Sequence, residues 1–335
     1  MLMGVKLKEI AREAGVSPAT LSKVINNRPG VSDEVRMRLL TLLEEKQYQK
    51  ATPAQMWDGR GGFVNLVLRI NHGVSNDPFY TVISQGVAQE LQACRLAVRY
   101  LVQPACTMDA DAFDEAFQNA YNIGNILIGA DFSAQVYERL KKLHAPTVLI
   151  DSVHADFSSV NPNHADGAQQ AVGYLLAQGH RKIAFLSGPL SQGSMAERHR
   201  GYCQAMQAAG LAPACCAECA GVGLEDGEQA VMQLGQLGFT ALFAATDKLA
   251  LGAMKALRRR GVQVPRDMSV MGFDDNEWSR YAEPALSTVH VPKTRVGMLA
   301  AQLLVNALRD PAMERVTANI STRLVLRDSV RPLPG

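Results

Sequence analysis

Side chains able to bind a polar ligand follow several short β-rich runs of this sequence. Asp151 closes the run PTVLID and Asp274 closes SVMGFD, while Arg198 lies in MAERHRGY and Phe79 in NDPFY. Carboxylates and guanidinium groups form strong hydrogen bonds with hydroxyl and carboxyl groups, and an aromatic ring packs against an apolar face. The set suits a sugar, a polyol or a sugar acid. Each residue also has a structural alternative to ligand binding. The aspartates could cap the next helix or turn, Arg198 could form a surface ion pair, and Phe79 could belong to the core.

Motifs that would indicate an enzyme are weak. The segment GVGLED resembles a dinucleotide-binding loop, but Asp226 stands where the last glycine belongs, and its carboxylate would repel a pyrophosphate. Asp274 and Asp275 are adjacent, so on an extended strand they point to opposite faces and form no acid–base pair. The sequence contains no G-x-S-x-G motif and no histidine pair at metal-binding spacing. We expect no enzymatic activity, no cofactor and no metal.

The cysteines do not form a recognisable framework. There are six, at irregular spacing: Cys94, Cys106, Cys203, Cys215, Cys216 and Cys219. The cluster CCAEC could supply thiolate ligands, but no second pair of cysteines or histidines stands at zinc-site spacing. We interpret them as ordinary buried or half-exposed residues, with a metal or redox site as the alternative. A disulfide framework is not expected in a long chain without a secretory signal.

Composition and the first residues indicate the compartment. The chain is 47% hydrophobic and 20% charged, as in ordinary globular proteins, and it lacks an apolar run of the ~18 residues that a membrane helix requires. Its start, MLMGVKLKEIAREAG, does not have the pattern of a signal peptide. We therefore expect a cytoplasmic protein with no membrane partner.

The elements that must position the polar residues alternate between strands and helices. Runs such as FVNLVLRI, NILIGA, KIAFLSG and TALFAAT are separated by amphipathic stretches such as AQQAVGYLLAQG. This alternation predicts doubly wound parallel sheets. We place two α/β units in tandem, at about 63–161 and 162–291, and expect the tail to return a helix and a strand. Ligands of such sheets bind at the carboxyl ends of the strands, so a cleft between two units would supply both walls.

The first 47 residues have a different pattern. Three short helices are predicted, with Gly15 ending the first, and with Ser17 as N-cap and Pro18 as first residue of the second. Residues 1–50 contain nine Lys or Arg and six Asp or Glu, a surplus of +3, whereas the whole chain carries +2, so the remainder carries −1. The basic surplus is confined to this segment, and the stretch QKATPAQMWDGRGG after it is typical of a hinge or linker.

Taken in order, several segments resemble one family. LKEIAREAGVSPATLSKVINN, VSDEVRMRLL, GHRKIAFLSGP, RHRGY, GFDD and PALSTVHVP are similar to the lactose-repressor/galactose-repressor family of bacterial transcription regulators. The resemblance covers essentially the whole chain. It implies a helix-turn-helix headpiece, a hinge that orders on DNA, and an effector-binding core like the periplasmic sugar-binding proteins. A plain solute-binding protein is the rival interpretation, but it would need a signal peptide.

The resemblance also implies the partners and the division of the chain. Family members are homodimers, sometimes tetramers, that bind two-fold symmetric operator DNA and respond to a small effector. The end of the sequence lacks the heptad repeat that would indicate a helical bundle for tetramer formation. The sequence therefore leaves open whether the oligomer is larger than a dimer. We expect the DNA-binding domain at 1–47, the hinge at 48–62 and the core at 63–335. Within the core, one subdomain takes 63–161 plus 292–321, and the other takes 162–291 plus 322–335.

In a helix-turn-helix the second helix enters the major groove with its N-terminal residues at the base edges. The positions that this implies for DNA contact are Ser17, Pro18, Ala19, Thr20, Ser22, Lys23 and Asn26. Pro18 and Ala19 have no side-chain donor, so readout at the tip would rest on apolar contact such as thymine methyl groups. Lys23 replaces the arginine common in the family. Trp57 matches the hinge residue that wedges into the minor groove, or else it packs against its dimer mate.

The effector positions of the family match five residues, namely Phe79, Asp151, Arg198, Thr246 and Asp274. Two departures concern this end of the molecule. Thr246 stands where asparagine is common, and Asn163 replaces a frequent aspartate. We therefore expect the effector to be bound differently from the way in which the sugar-binding members bind theirs.

Overall fold

The computed structural model describes residues 7–25, 30–45, 62–70, 78–104, 117–119, 121–129, 133–143, 145–213, 215–233 and 238–333. The predicted three-helix headpiece is present, as α1 (Leu7–Glu13), α2 (Pro18–Ile25) and α3 (Asp33–Glu45). Gly15, at φ +67°, follows α1. The three helices enclose a small core of Ile10, Ala11, Leu21, Val24, Leu39 and Leu43. The apolar spacing that predicted the helices therefore also produces their contacts.

The first sheet has six parallel strands in the order β11-β5-β4-β3-β1-β2. They are β1 (Phe63–Ile70), β2 (Ala97–Pro104), β3 (Asn122–Ile128), β4 (Thr147–Ile150), β5 (Ser158–Pro162) and β11 (Thr317–Ile320). Leu66 and Ile126 belong to the core on one face, and Val67 and Leu127 to the core on the other. Both faces of this sheet are thus covered, and its central strands β1, β3 and β4 are accordingly rich in buried apolar residues.

The second sheet has four parallel strands in the order β7-β6-β8-β9. They are β6 (Ile183–Ser187), β7 (Cys215–Glu218), β8 (Ala241–Ala244) and β9 (Ser269–Met271). Beside it lies an antiparallel pair, β10 (Thr288–His290) and β12 (Arg323–Val325). The chain therefore passes between the two sheets three times: after β5, after β10 and after β11.

Helices connect and cover these strands. They are α4 (Pro78–Ala93), α5 (Ala134–Lys141), α6 (His164–Ala177), α7 (Gly193–Ala208), α8 (Leu224–Gln233), α9 (Asp247–Arg259), α10 (Glu277–Tyr281) and α11 (Lys293–Arg309). Buried residues of α6 and α9 pack in the core of the second sheet, whereas those of α4 and α11 pack against the first. Among the residues that the structure describes, no helix is both long and apolar enough to cross a membrane.

The contact between α4 and α11 depends on glycine at two positions. A Cβ atom at Gly297 would overlap the carbonyl oxygen of Ile83, and one at Gly86 would overlap that of Thr294. Each helix thus approaches the backbone of the other at a point where no side chain fits.

We expect Gly297→Ala to lower the free energy of unfolding by about 1–3 kcal/mol, since an overfilled contact forces the helices apart. Urea unfolding measures this loss. The matched control is Gly173→Ala on α6, where nothing lies within 4 Å of the added carbon. That change should instead stabilise the protein by about 0.5–1 kcal/mol, because alanine favours a helix interior. Equal effects at both sites would contradict the close contact.

Candidate functional site

The structure brings all five predicted effector residues to one cleft between the two sheets. The cleft has a volume of about 590 Å³, including its open mouth, and its lining contains Phe79, Asp151, Arg198, Thr246 and Asp274. Phe79 and Asp151 come from the first sheet and its helix α4, and we call this side the first wall. Arg198, Thr246 and Asp274 come from the second sheet and its helices, and they form the second wall. A role of these residues in binding stays a prediction.

The two predicted aspartates have unusual backbone conformations. Asp151 directly follows β4 at φ +59°, and Asp274 follows β9 at φ +113°. Their amide groups nevertheless belong to the sheets, because Asp151 N donates to Val160 O at 3.2 Å and Asp274 N to Val289 O at 2.9 Å. Aspartate tolerates positive φ better than most residues, and such conformations are frequent at ligand sites. Rigid backbone thus presents both carboxylates to the cleft.

Arg198 is the centre of the second wall. Its side chain is buried, with Nη2 3.0 Å from Asp274 Oδ1, and Nη1 donates to the carbonyl oxygen of Ala245. The guanidinium carbon lies 4.0 Å from the centroid of the Phe273 ring. The alternative interpretation of Arg198 as half of a surface ion pair is therefore wrong. A buried charge requires a partner, and Asp274 supplies it.

Phe79 and Thr246 each have a second role beside the cleft. Phe79 is half-buried and packs against the cores of both sheets. Thr246 is the N-cap of α9, and its Oγ1 accepts a hydrogen bond from Leu249 N at 3.1 Å. Threonine in place of asparagine therefore keeps the cap, while the amide that could reach a ligand is lost. Sequence reasoning did not identify this capping role.

Three further polar residues near the cleft were not identified from the sequence as site residues. His164 begins α6 and contacts both Asp151 and Arg198. Asp247 is fully buried below Thr246 and accepts hydrogen bonds from Asn276 N and Ser279 Oγ, both at 2.7 Å, and from the Thr288 hydroxyl. Lys293 donates from Nζ to the carbonyl oxygens of residues 274 and 275. Of these three residues, only Asp247 could have been identified from the sequence as a site residue, because it follows Thr246 at the end of a predicted strand.

Burial changes the ionisation of two of these residues. It raises the pKa of Asp247 to about 7, and the nearby carboxylate of Asp274 adds to this increase. It also lowers the pKa of the Lys293 amine, although the neighbouring carboxylates oppose that decrease. The amine lies 5.7 Å from the centroid of the Phe79 ring. Asp247 and Lys293 thus belong to a compact group of ionisable side chains that is shielded from water next to the cleft.

The motifs judged weak for catalysis have structural roles. Asp275 is held by Arg327 at 2.6 Å and by His290 at 2.8 Å, whereas Asp274 contacts Arg198. Burial tends to raise the pKa of Asp275, but Arg327 and His290 outweigh it and the pKa is lowered. The two aspartates therefore serve different partners, although both have a positive φ and neither lies on the extended strand that the sequence predicted. Asp226 Oδ2 accepts from Gly223 N at 2.8 Å and closes the turn before α8.

The described cysteines do not form a metal site. Cys216 is exposed and Cys219 is buried, and burial raises the pKa of the Cys219 thiol to about 11. A protonated thiol is a poor ligand and a poor nucleophile. In the described ranges of the chain no group of three His, Cys, Asp or Glu side chains is arranged to bind a metal ion. The side chain of Cys215 and the whole of Cys106 lie outside those ranges.

The headpiece presents the tip of α2 to solvent. Ser17 Oγ accepts from Thr20 N at 3.0 Å and lies 2.8 Å from Thr20 Oγ1, so the predicted N-cap is present. Pro18, Ala19 and Lys23 are exposed. Of the other predicted DNA contacts, the side chain of Ser22 and the whole of Asn26 and Trp57 lie outside the described residues. The geometry is that of a helix whose first turn is free to enter a groove.

A helix-turn-helix headpiece joined to a two-sheet ligand cleft defines the class of DNA-binding proteins that respond to small molecules. The comparisons make the assignment specific. The family model described as bacterial regulatory proteins, lacI family, matches residues 6–50, and that of the periplasmic binding protein-like domain matches residues 172–330. The ribose operon repressor of Haemophilus influenzae is 30% identical, over 98% of this chain and 99% of its own.

Two solved structures have the same architecture. The lac repressor dimer bound to operator and the anti-inducer ONPF is 25% identical, with a TM-score of 0.71 over 98% of this chain and 100% of that one. The complex of the transcriptional regulator CelR with cellobiose is also 25% identical, with a TM-score of 0.71 over 97% and 99%. The chain belongs to the lacI family of bacterial regulatory proteins, and it is a transcriptional repressor rather than an enzyme.

Proposed function

We propose that the protein binds a two-fold symmetric operator as a homodimer and changes its affinity when a sugar, polyol or sugar acid enters the cleft. The observation that carries the proposal is the convergence of Asp151, Arg198 and Asp274 on one cleft beside the Phe79 ring. Two carboxylates that accept and a guanidinium that donates match a ligand bearing several hydroxyl groups. The CelR structure with cellobiose supports a ligand of this class.

The division of the chain follows from this proposal. Residues 1–47 bind DNA, residues 48–62 form the hinge, and residues 63–335 bind the effector. One subdomain takes 63–161 plus 292–321, and the other takes 162–291 plus 322–335. The lac repressor dimer on its operator supports the dimer. A cytoplasmic location is part of the proposal, because a bacterial operator lies in the cytoplasm.

On the DNA side, the proposed contacts begin at the exposed tip of α2. Without DNA the hydroxyl groups of Ser17 and Thr20 form a hydrogen bond to each other. In the complex these hydroxyls donate to phosphate groups, as do the hydroxyl of Ser22 and the side-chain amide of Asn26. Pro18 and Ala19 read bases by fit and methyl contact, because neither has a side-chain donor. Lys23 supplies a point charge without the planar fork of arginine. Trp57 inserts into the minor groove or stacks on its dimer mate.

Selection of bound sequences from random double-stranded DNA tests this function. We expect the full chain to enrich a two-fold symmetric site, and we expect a variant lacking residues 1–60 to enrich none. Affinity for that site should fall at least about 10³-fold between 50 and 200 mM salt if the dimer contacts six or more phosphates. A flat salt profile, or enrichment by the truncated variant, would contradict the proposed headpiece function.

A further inference from the structure

One histidine connects the two walls of the cleft. His164 is the first residue of α6, directly after the chain leaves the first sheet, and its side chain is 6% exposed. Its Nε2 lies 2.6 Å from Asp151 Oδ1 of the first wall, and Arg198 Nε of the second wall donates to its Nδ1 at 3.3 Å. Asp151, His164, Arg198 and Asp274 therefore form a continuous chain of polar contacts across the cleft.

The partners determine which nitrogen of His164 carries the proton. The Nε atom of an arginine can only donate, so Nδ1 of His164 must accept and be unprotonated. The ring proton of a neutral imidazole is then on Nε2, where it points to the Asp151 carboxylate. A doubly protonated ring would place two donors, Nδ1–H and Arg198 Nε–H, against each other. The contact geometry thus requires one neutral tautomer.

His164 also limits how Arg198 can meet a ligand. A guanidinium has five N–H groups: the one on Nε is taken by His164 and one on Nη1 by the Ala245 carbonyl, while Nη2 lies 3.0 Å from Asp274 Oδ1. With Phe273 against its face, the plane of the guanidinium is set from several sides. The contact through Nε is the one that links this plane to the first wall.

We propose that His164 is a positioning residue that sets Asp151 and Arg198 as a pair, so that a ligand bonding to one wall changes the other. This inference rests on the proposed effector function of the cleft. A ligand hydroxyl that bonds to the Asp151 carboxylate competes with His164 Nε2–H, and the resulting shift of the ring moves the acceptor of Arg198 Nε. The two walls then respond together rather than separately.

The first test is the nitrogen NMR spectrum of the His164 ring in the full chain, assigned by its loss in His164→Gln. We expect a protonated signal for Nε2 and an unprotonated signal for Nδ1. A protonated Nδ1, or a ring averaging between both tautomers, would overturn the proposal. The measurement itself is made on the unaltered chain, and the variant serves only to assign the signal.

The second test is a double-mutant cycle between Asp151→Asn and Arg198→Lys, read as urea unfolding midpoints. Lysine keeps a positive charge near Asp274 but has a methylene group in place of Nε–H, so the directed donor to His164 Nδ1 is lost. In the wild-type background we expect the double variant to lose less than the sum of the single losses. In a His164→Gln background we expect the same coupling energy, because the glutamine amide has both a donor and an acceptor. In a His164→Leu background we expect the two single losses of stability to be additive, because leucine has neither.

The control background is His154→Gln. His154 also lies near a carboxylate, 3.8 Å from Asp156, but its ring packs against Tyr137 and Phe157, so the cycle should match that of the wild type. Additivity in the wild type, or unchanged coupling with His164→Leu, would overturn the proposal. Neither test uses DNA or effector. If no operator or no ligand can be found, the proposed function is contradicted, but the results of these two tests do not change.

Discussion

Arg198→Ala is expected to leave operator binding in place and to abolish the response to effector. Arg198 lies in the cleft with Asp274, His164 and the Ala245 carbonyl around it, so its loss removes the main cationic donor of the second wall. Removing one partner of a buried charged contact typically costs about 2–5 kcal/mol of binding, which is at least about 30-fold in affinity. The headpiece is a separate helical unit with its own core, so DNA contacts are retained.

The measurement needs a ligand, which a thermal-shift screen of sugars, polyols and sugar acids against the full chain supplies. For the compound that stabilises the wild type most, calorimetry measures its affinity for each variant, and a DNA-binding assay measures how much operator it releases. The matched control is Arg200→Ala on the same helix, where Arg200 is exposed and pairs with Glu197, and it should behave as wild type. Arg198→Ala should also lower the melting temperature, since the buried Asp274 carboxylate loses its ion pair with Arg198. Ligand-dependent release by Arg198→Ala would contradict the assignment of the cleft.

Leu21→Ala is expected to abolish operator binding while effector binding persists. Leu21 is 1% exposed at the centre of the headpiece core. Truncating such a leucine costs about 2–5 kcal/mol, and a three-helix unit of this size has little stability in reserve. The headpiece should therefore unfold on its own, because its core shares no residue with those of the two sheets.

Fluorescence anisotropy with the selected operator measures this loss, and calorimetry with the screened ligand monitors the cleft. Leu40→Ala provides the control, as Leu40 lies on the same small domain but is 41% exposed. We expect it to change operator affinity by less than about threefold, in line with the small effects of surface substitutions. Loss of effector binding in Leu21→Ala would show that the headpiece and the cleft do not fold independently.

Sequence by itself determined the architecture of this protein. The apolar run TVLI, which becomes β4, is buried throughout, and a sheet covered on both faces accommodates it. The pair Ser17 and Pro18 predicted the start of α2, because a hydroxyl cap and a proline without N–H satisfy the first turn of a helix. Residues at strand ends were also expected to meet, since the carboxyl ends of parallel strands lie at one edge of a sheet.

Tertiary structure alone decided which of these side chains bond to each other. The contact of Arg198 with Asp274, and that of Asp151 with His164, join residues from different elements, and no spacing in the sequence indicates them. The cap that the Thr246 hydroxyl provides to α9 is, by contrast, a local contact like that of Ser17, and it could have been predicted from the sequence. Periodicity reports which face of an element is apolar, whereas ion pairs depend on where the packed elements place individual polar atoms. The coupling through His164 is a property of that packing.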